Sequence, residues 1–275
     1  MNPKRVQKLN QFSLALVLTI GGIIVSLPFI WMILSSLKTE REVIQVPPTF
    51  WPDQPTLANF IQLFENMNFL LYLKNTLIIV LFSFVGLFFS AMAGYAFGNF
   101  QFKGKNQLFI LVLATMMIPG QVTMIPVYLI LNSMGLTNTM TGVVLPGLVG
   151  AFGIFLFRQF METIPDEVLE AARIDGANEF WIFFRIVLPM SKPILGVQGI
   201  LTFIAGWNSF LWPLIIANDE SLYTLSVGLA LLKGQYDANF ALQMAGSTVM
   251  VLPIIIAFLF FQKYIIEGYN ISGLK

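Results

Sequence analysis

The sequence predicts an all-α membrane protein with six transmembrane helices, and three observations support this prediction. Of its 275 residues, 57% are apolar and only 11% are charged, whereas soluble domains average about 25% charged residues. Long charge-free stretches are each sufficient for the roughly 20 apolar residues that a bilayer core requires. The longest, residues 106–157, is interrupted by the polar, turn-prone run 132–138 and therefore predicts two helices.

The six helices are expected in regular order along the chain. The predicted spans are 12–34, 70–97, 108–130, 141–160, 194–217 and 242–263. The first follows the basic residues Lys4, Arg5 and Lys8 and has no small-residue cleavage site after it, so we interpret it as an uncleaved span.

Small residues and prolines inside the spans predict local geometry. Ser90, Gly94 and Gly98 recur every fourth residue, a spacing that lets helices pack closely. Prolines at 119, 126 and 213 are expected to kink their helices, and the carbonyls they free are candidates to line a cavity.

Basic residues predict the orientation. With the N-terminus inside, the inner segments hold Lys4, Arg5, Lys8, Lys103, Lys105, Arg158, Arg173, Arg185, Lys192, Lys263 and Lys275, and the outer segments hold Lys38, Arg41, Lys74 and Lys233. Since the excess of lysine and arginine marks the cytosolic side, both termini are predicted to be cytosolic. In a bacterium, helical spans indicate the inner membrane.

Two connections are long. The outer one, 35–69, contains prolines at 47, 48, 52 and 55, which forbid a regular helix there; it predicts a rigid connection, with a ligand site as the alternative. The cytosolic one, 161–193, predicts a helix that starts with Pro165 in its first turn and ends at Gly176. A second helix is predicted from Glu179 to Val187, before Pro189.

The cytosolic loop carries a recognisable motif. Glu170-Ala171-Ala172 is followed by Asp175-Gly176-Ala177 and then by Ile186, Leu188-Pro189 and Pro193. This EAA pattern resembles that of the membrane permease subunits of ATP-binding-cassette carbohydrate importers of the maltose type. Further stretches resemble the same family: Met117-Ile118-Pro119-Gly120-Gln121-Val122, Ile125-Pro126-Val127-Tyr128, Asn132–Leu136 with Thr139, Gly142 and Leu145-Pro146, Gly206–Leu214, and Gln262–Gly268 with Gly273-Leu274-Lys275.

The resemblance implies a type I ABC-importer permease fold with a cytosolic coupling helix. It implies an N-terminal segment of residues 1–69, a permease domain 70–264 that includes the coupling loop 161–193, and a cytosolic tail 265–275. Contact with a separate ATPase is implied for Val168, Leu169, Glu170, Ala171, Ala172, Arg173, Asp175 and Gly176. It further implies a second homologous permease subunit, two ATP-hydrolysing subunits that use ATP and magnesium, and an extracytoplasmic solute-binding protein. The tail is implied to contact the ATPase pair.

Several classes are excluded or disfavoured. The closest approach to a phosphate-binding loop, Gly98…Gly104-Lys105-Asn106, has the wrong spacing and lacks the hydroxyl residue, so no nucleotide site is predicted in this transport subunit. Without cysteine or histidine, thiol catalysis and metal sites are not expected, and a net charge of +1 disfavours nucleic acid. Spans that are uncharged except for Lys74 and Arg158 near their ends disfavour a stand-alone ion-coupled carrier. No nucleophile–base pair supports a membrane enzyme.

Uncharged spans suit an uncharged polar substrate such as a sugar or oligosaccharide. Amides and aromatic faces that bind sugars are offered by Asn208 with Trp207, Phe210 and Trp212, to which Gln121, Tyr128 and Asn132 are added as candidates for the substrate path. Packing or an interfacial position remains open for the tryptophans. Glycerol phosphate or another polar solute is the alternative, although an anion would favour cationic side chains in the path.

Overall fold

The computed structural model describes residues 3–235 and 239–272, and within these ranges the chain forms helices and no strand. The helices are α1 Pro3–Ser36, α2 Glu40–Val43, α3 Ala58–Asn66, α4 Phe69–Asn99, α5 Lys105–Met116, α6 Gly120–Ser133, α7 Met140–Val144, α8 Ala151–Met161, α9 Asp166–Ile174, α10 Glu179–Ile182, α11 Leu188–Met190, α12 Lys192–Trp207, α13 Leu211–Ile216, α14 Leu225–Gln235 and α15 Phe240–Ser272. Two compact units form, Met1–Met67 with Leu231–Val251 and Asn68–Ala230 with Leu252–Lys275.

Five of the six predicted spans are confirmed as helical segments long enough and apolar enough to cross a membrane. They are Asn10–Ser36, Phe69–Asn99, Met140–Met161, Lys192–Ile216 and Phe240–Lys263, each within two residues of the predicted ends. α15 extends the last of them to Ser272, while Gly273, Leu274 and Lys275 of the predicted tail lie outside the described residues.

The predicted third span, 108–130, is wrong as a single helix. α5 and α6 meet at an angle of 103° across the short break that contains Pro119. Proline supplies no backbone N–H and disfavours the helical conformation of the residue before it, here Ile118. The predicted kink at this proline is therefore a sharp turn, whereas Pro126 lies inside α6 without ending it. The described chain has five spans, or six if the bent pair counts as one.

The fifth span is interrupted between α12 and α13. Pro213 lies in the first turn of α13, and as a proline it cannot donate to the carbonyl of Ser209 as a continuous helix would require. That carbonyl instead accepts a hydrogen bond from Thr224 Oγ1 at 2.9 Å. The break therefore lies just before the proline that causes it.

The first unit contains the proline-rich outer connection. No helix forms between Val43 and Ala58. Buried Lys38 donates to the carbonyl of Thr49 and lies 4.9 Å from the Trp31 ring centroid. Glu42 accepts hydrogen bonds from Thr49 Oγ1 at 3.2 Å and from the Asp53 backbone at 2.9 Å. Lys38 and Glu42 are thus bonded to the connection itself, which agrees with the predicted rigid link.

In the second unit, α4 packs against α8 and α12 through small residues. A Cβ at Gly86 would lie 1.3 Å from the carbonyl oxygen of Leu148, and a Cβ at Gly94 would lie 2.4 Å from the Cβ of Phe157. A Cβ at Gly206 of α12 would lie 3.2 Å from Val80. The close packing predicted for the small-residue repeat of α4 is therefore present at Gly94.

The predicted second helix of the cytosolic loop extends further than expected. After α10 the chain makes a wide π turn over Phe183–Val187 and continues as α11 to Met190. The predicted end at Val187 is wrong because the chain stays helical through Pro189, which follows the π turn directly. Proline has no backbone N–H to donate, and it is tolerated in the first turn of a helix, where Pro189 lies in α11.

Candidate functional site

The helix α9, which carries the EAA motif, is well formed from its own sequence. Asp166 and Glu167 occupy its first turn, where they favour the positive end of the helix dipole. At its C-terminus the N–H groups of Gly176 and Ala177 donate to the carbonyls of Arg173 and Ala172, both at 3.0 Å. Gly176 has φ +84°, the left-handed conformation that this helix ending requires. The predicted helix end at Gly176 is therefore confirmed, with Pro165 one position before the helix.

Only one side of α9 is buried. Leu169 and Ala172 are 1% and 8% exposed and pack in a core with Met161, Ile182 and Val187. The structure therefore places these two residues away from the surface, whereas Val168 and Ala171 are exposed. Sequence reasoning missed Ile174, which is 85% exposed at the end of the helix. Its signal was a large apolar side chain between Arg173 and Asp175.

A polar cluster connects the end of α9 to α4. Arg173 Nε donates to Glu179 Oε1 at 2.7 Å, and Tyr95 Oη donates to Glu179 Oε2 at 2.9 Å. The Arg173 hydrogen bond lowers the pKa of the Glu179 carboxyl and raises that of the guanidinium. Glu179 follows Asn178, whose side chain accepts from the Trp181 N–H at 2.8 Å and starts α10. One carboxylate thus joins the motif helix to a span.

A groove lies beside this turn. It is a cavity of about 600 Å³ lined by Val168, Ala171, Ala172, Asp175, Gly176, Ala177, Asn178, Trp181 and Ile186. Glu170 is exposed and, within the described residues of the chain, makes no hydrogen bond or ion pair. Arg173, three residues further along the helix, is bonded to Glu179 and not to Glu170. A groove with apolar walls and the carboxylate of Asp175, next to the exposed carboxylate of Glu170 on the same helix, suits docking of a protein that presents cations.

A second site lies among the spans. It is a space of about 460 Å³, which we call the solute cavity. Its lining residues are Ile79, Ser83, Gly120, Gln121, Thr123, Met124, Val127, Val143, Val144, Pro146, Gly147, Ala205, Gly206, Ser209 and Trp212. Two of the predicted substrate-path residues, Gln121 and Trp212, line it. The Trp212 indole donates to the carbonyl of Gly142 at 3.2 Å, which fixes its orientation.

The other predicted path residues lie elsewhere. Trp207 is 4% exposed and stacks on Phe203 with ring centroids 5.8 Å apart. Tyr128 packs against the core of Ile79 and Ile216, and Asn132 accepts from Thr137 at 3.3 Å. Asn208 and Phe210 are exposed in the break between α12 and α13 without lining the cavity.

Sequence reasoning missed the hydroxyl residues Ser83, Thr123 and Ser209. Ser83 donates to the Ile79 carbonyl at 2.8 Å and Thr123 to the Gly120 carbonyl at 2.9 Å, so their oxygens retain acceptor capacity toward the cavity. The sequence gives little indication of such a role, because hydroxyl side chains in a membrane span usually bond to the backbone of their own helix.

A smaller cavity adjoins the solute cavity. This Gln198 cavity, about 280 Å³, shares Ser83, Gly147 and Ala205 with it. Sequence reasoning missed Gln198 as well; its signal was the only amide side chain of the largely apolar α12.

Charged and metal-binding groups are sparse around these spaces. No charged residue lines either cavity. Arg158, at the end of α8, bonds to Glu162 at 2.7 Å and lies 3.8 Å from the Phe109 ring centroid. Among the described residues, no cluster of carboxylates is arranged to hold a metal ion.

Comparisons with known proteins agree with one another. A family model described as binding-protein-dependent transport system inner membrane component matches residues 86–270. The chain is 38% identical over 270 residues to the arabinooligosaccharides transport system permease protein AraQ of Halalkalibacterium halodurans, covering 95% of this chain and 97% of that one. It is 30% identical over 263 residues to the sn-glycerol-3-phosphate transport system permease protein UgpE of Brucella abortus, covering 92% and 93%. A chain of a bacterial ABC transporter involved in the import of alginate has the same fold, with TM-score 0.81 over 95% and 98% at 24% identity.

Proposed function

The chain belongs to the family of binding-protein-dependent transport system inner membrane components. From that membership we propose how it carries a solute and how transport is coupled to ATP hydrolysis by a partner. It forms half of the translocation path for a neutral sugar or oligosaccharide. It couples this path to a separate ATPase through α9. The observation that carries the proposal is that α9 has a free outer side while its inner side is bonded into the spans.

The coupling step follows from this arrangement. ATP binding closes the pair of partner ATPase subunits. This closure moves α9, and the corresponding helix of the second permease subunit, which dock in clefts of the ATPase pair. Glu170 makes a charge-assisted hydrogen bond to the ATPase, and Val168, Ala171 and Ile174 supply apolar contact. Because Leu169 and Ala172 are buried against α8 and α10, displacement of α9 moves the spans with it. The cavity then changes the side to which it opens.

The energy comes from the partner. ATP and magnesium are bound by two cytosolic ATPase subunits, since this sequence has no phosphate-binding loop. A second permease subunit completes the path, and an extracytoplasmic binding protein delivers the solute, as the family description supports. Both termini and the α9 loop face the cytosol, which places the basic residues inside.

The substrate class follows from the cavity and the relatives. The solute cavity has hydroxyl and amide groups, an indole face and no charged side chain, which matches an uncharged sugar. The arabinooligosaccharide permease is more similar than the glycerol phosphate permease. Glycerol phosphate is the second candidate, for which the second permease subunit would have to supply cations.

Reconstitution tests the proposal. The chain, co-purified with its membrane and ATPase partners, is placed in vesicles with the binding protein. We expect ATP-dependent uptake of labelled arabinotriose and no uptake of glycerol 3-phosphate. Glu170→Lys should leave the chain in the membrane but abolish solute-stimulated hydrolysis, whereas the matched control Glu65→Lys, exposed on α3, should not. Normal uptake by the Glu170 variant would overturn the coupling role, and uptake without ATP would overturn the function.

A further inference from the structure

The Gln198 cavity contains a polar group that the rest of the chain does not satisfy. Gln198 is 4% exposed, and its Nε2 is buried without a hydrogen-bond partner among the described residues. The nearby hydroxyl of Ser90 is committed to the Gly86 carbonyl at 2.9 Å, and that of Ser83 to the Ile79 carbonyl. A buried amide donor without a partner is costly, and in a span it normally bonds across helices.

The walls of the cavity match one kind of molecule. Leu87, Leu201 and Phe152 present apolar surface, and the polar groups are hydroxyls and the amide of Gln198, without charge. An amide both donates and accepts, and each sugar hydroxyl does the same. At roughly 30 Å³ for each water, a volume of 280 Å³ corresponds to about nine waters, which is room for one sugar ring.

We propose that the Gln198 cavity is a second binding position for a neutral, hydroxyl-rich solute, with the Gln198 amide as its hydrogen-bonding group. This rests on the proposed function, because the solute reaches it from the solute cavity through the shared wall of Ser83, Gly147 and Ala205. Gln198 lies in the second turn of α12, whereas the solute cavity extends to Ser209 beyond its end. The second position is therefore nearer to α9 and is occupied after the solute leaves the first.

Transport by an apolar variant tests the role of the amide. In the reconstituted complex with arabinotriose as probe, Gln198→Leu should reduce ATP-dependent uptake at saturating binding protein about five- to tenfold, the effect of one hydrogen bond. Gln198→Asn should recover some of the uptake, which a purely structural role would not predict. The matched control is Gln107→Leu, an exposed glutamine on α5 that lines neither cavity.

Thiol labelling tests occupancy directly and does not depend on the leucine variant folding. The sequence has no cysteine, so Gln198→Cys introduces the only thiol of this subunit. Arabinotriose during ATP turnover should slow its methanethiosulfonate modification, because a sugar in the cavity shields the thiol, and should not affect the modification of Gln107→Cys. Two results together would overturn the second position: wild-type uptake of arabinotriose by Gln198→Leu, and no protection of the Gln198→Cys thiol by arabinotriose. The importer function would remain intact in that case. Protection by the second permease subunit without sugar would also overturn it. Failure of the wild-type complex to import arabinotriose would instead refute the proposed function.

Discussion

Removing the Tyr95 hydroxyl should loosen the link between α9 and α4 without unpacking the core. Tyr95→Phe keeps the ring against Phe100 and Phe183, at centroid distances of 5.0 and 5.6 Å, and deletes only the 2.9 Å bond to Glu179. A hydrogen bond to a charged group contributes about 1.5–3 kcal/mol. Because the Glu179 side chain is 43% exposed, the lower end applies. That corresponds to about a tenfold change in the local equilibrium.

Two assays report this change. Hydrogen exchange across 174–179 should become about tenfold faster, since local opening is governed by the same free energy. In vesicles, solute-stimulated ATP hydrolysis should continue while the solute imported per ATP falls, because displacement of α9 is no longer transmitted fully to the span. Arg173 still holds Glu179, so the loss should be partial.

The chain offers a matched control at the other end of the same helix. Tyr72 of α4 also donates to a carboxylate, that of Glu220, so Tyr72→Phe removes the same kind of bond far from α9. Exchange across 174–179 should be unchanged in that variant. If Tyr95→Phe left both exchange and coupling at wild-type values, or if Tyr72→Phe had the same effect, the link between α9 and α4 would not pass through Glu179.

Three further predictions follow from single features. The hydrogen bond from Arg173 lowers the pKa of Glu179. The stability that this bond contributes is therefore complete above the ordinary glutamate pKa of about 4.3 and is lost as the pH falls through the lowered pKa of the folded state. The unfolding midpoint of the wild-type chain should fall more steeply with acid than that of Glu179→Gln. Gly86→Ala should cost about 1–3 kcal/mol or more through its clash with backbone, seen as a lower unfolding midpoint, whereas Gly21→Ala, with no atom within 4 Å, should be silent. Ile174→Asp should leave the chain folded and weaken co-purification of the ATPase at least about tenfold; unchanged recovery would place the contact elsewhere.

Local sequence rules predicted those features of the fold that local chemistry determines. The five spans other than the third follow from hydropathy alone. The end of α9 follows from Gly176, because the positive φ of that helix ending favours glycine. The break before α6 did not follow, since a proline inside an apolar run is compatible with either a mild kink or a sharp turn, and surrounding packing decides between them.

The site was harder to predict because burial depends on partners distant in sequence. Leu169 and Ala172 are among the residues implied to contact the ATPase but face the core, and the sequence of α9 alone does not state which of its sides is buried. Trp207 and Trp212 are close in sequence, yet the break between α12 and α13 buries one and turns the other toward the cavity. Gln198 needed the three-dimensional structure, because an unsatisfied donor is visible only when all its neighbours are known.

The glycine contacts between α4 and the chain around α8 also limit how this unit can move. At Gly86 and Gly94 the backbones touch without intervening side chains, and sliding by one residue, about 1.5 Å, would bring a Cβ against backbone atoms. α4 and α8 should therefore behave as one rigid body through a transport cycle. The hinges are then the non-helical breaks at 117–119 and 208–210, which adjoin the solute cavity at Gly120 and Ser209. Spin labels on α4 and α8 should keep a constant separation during turnover, while labels across either break should not.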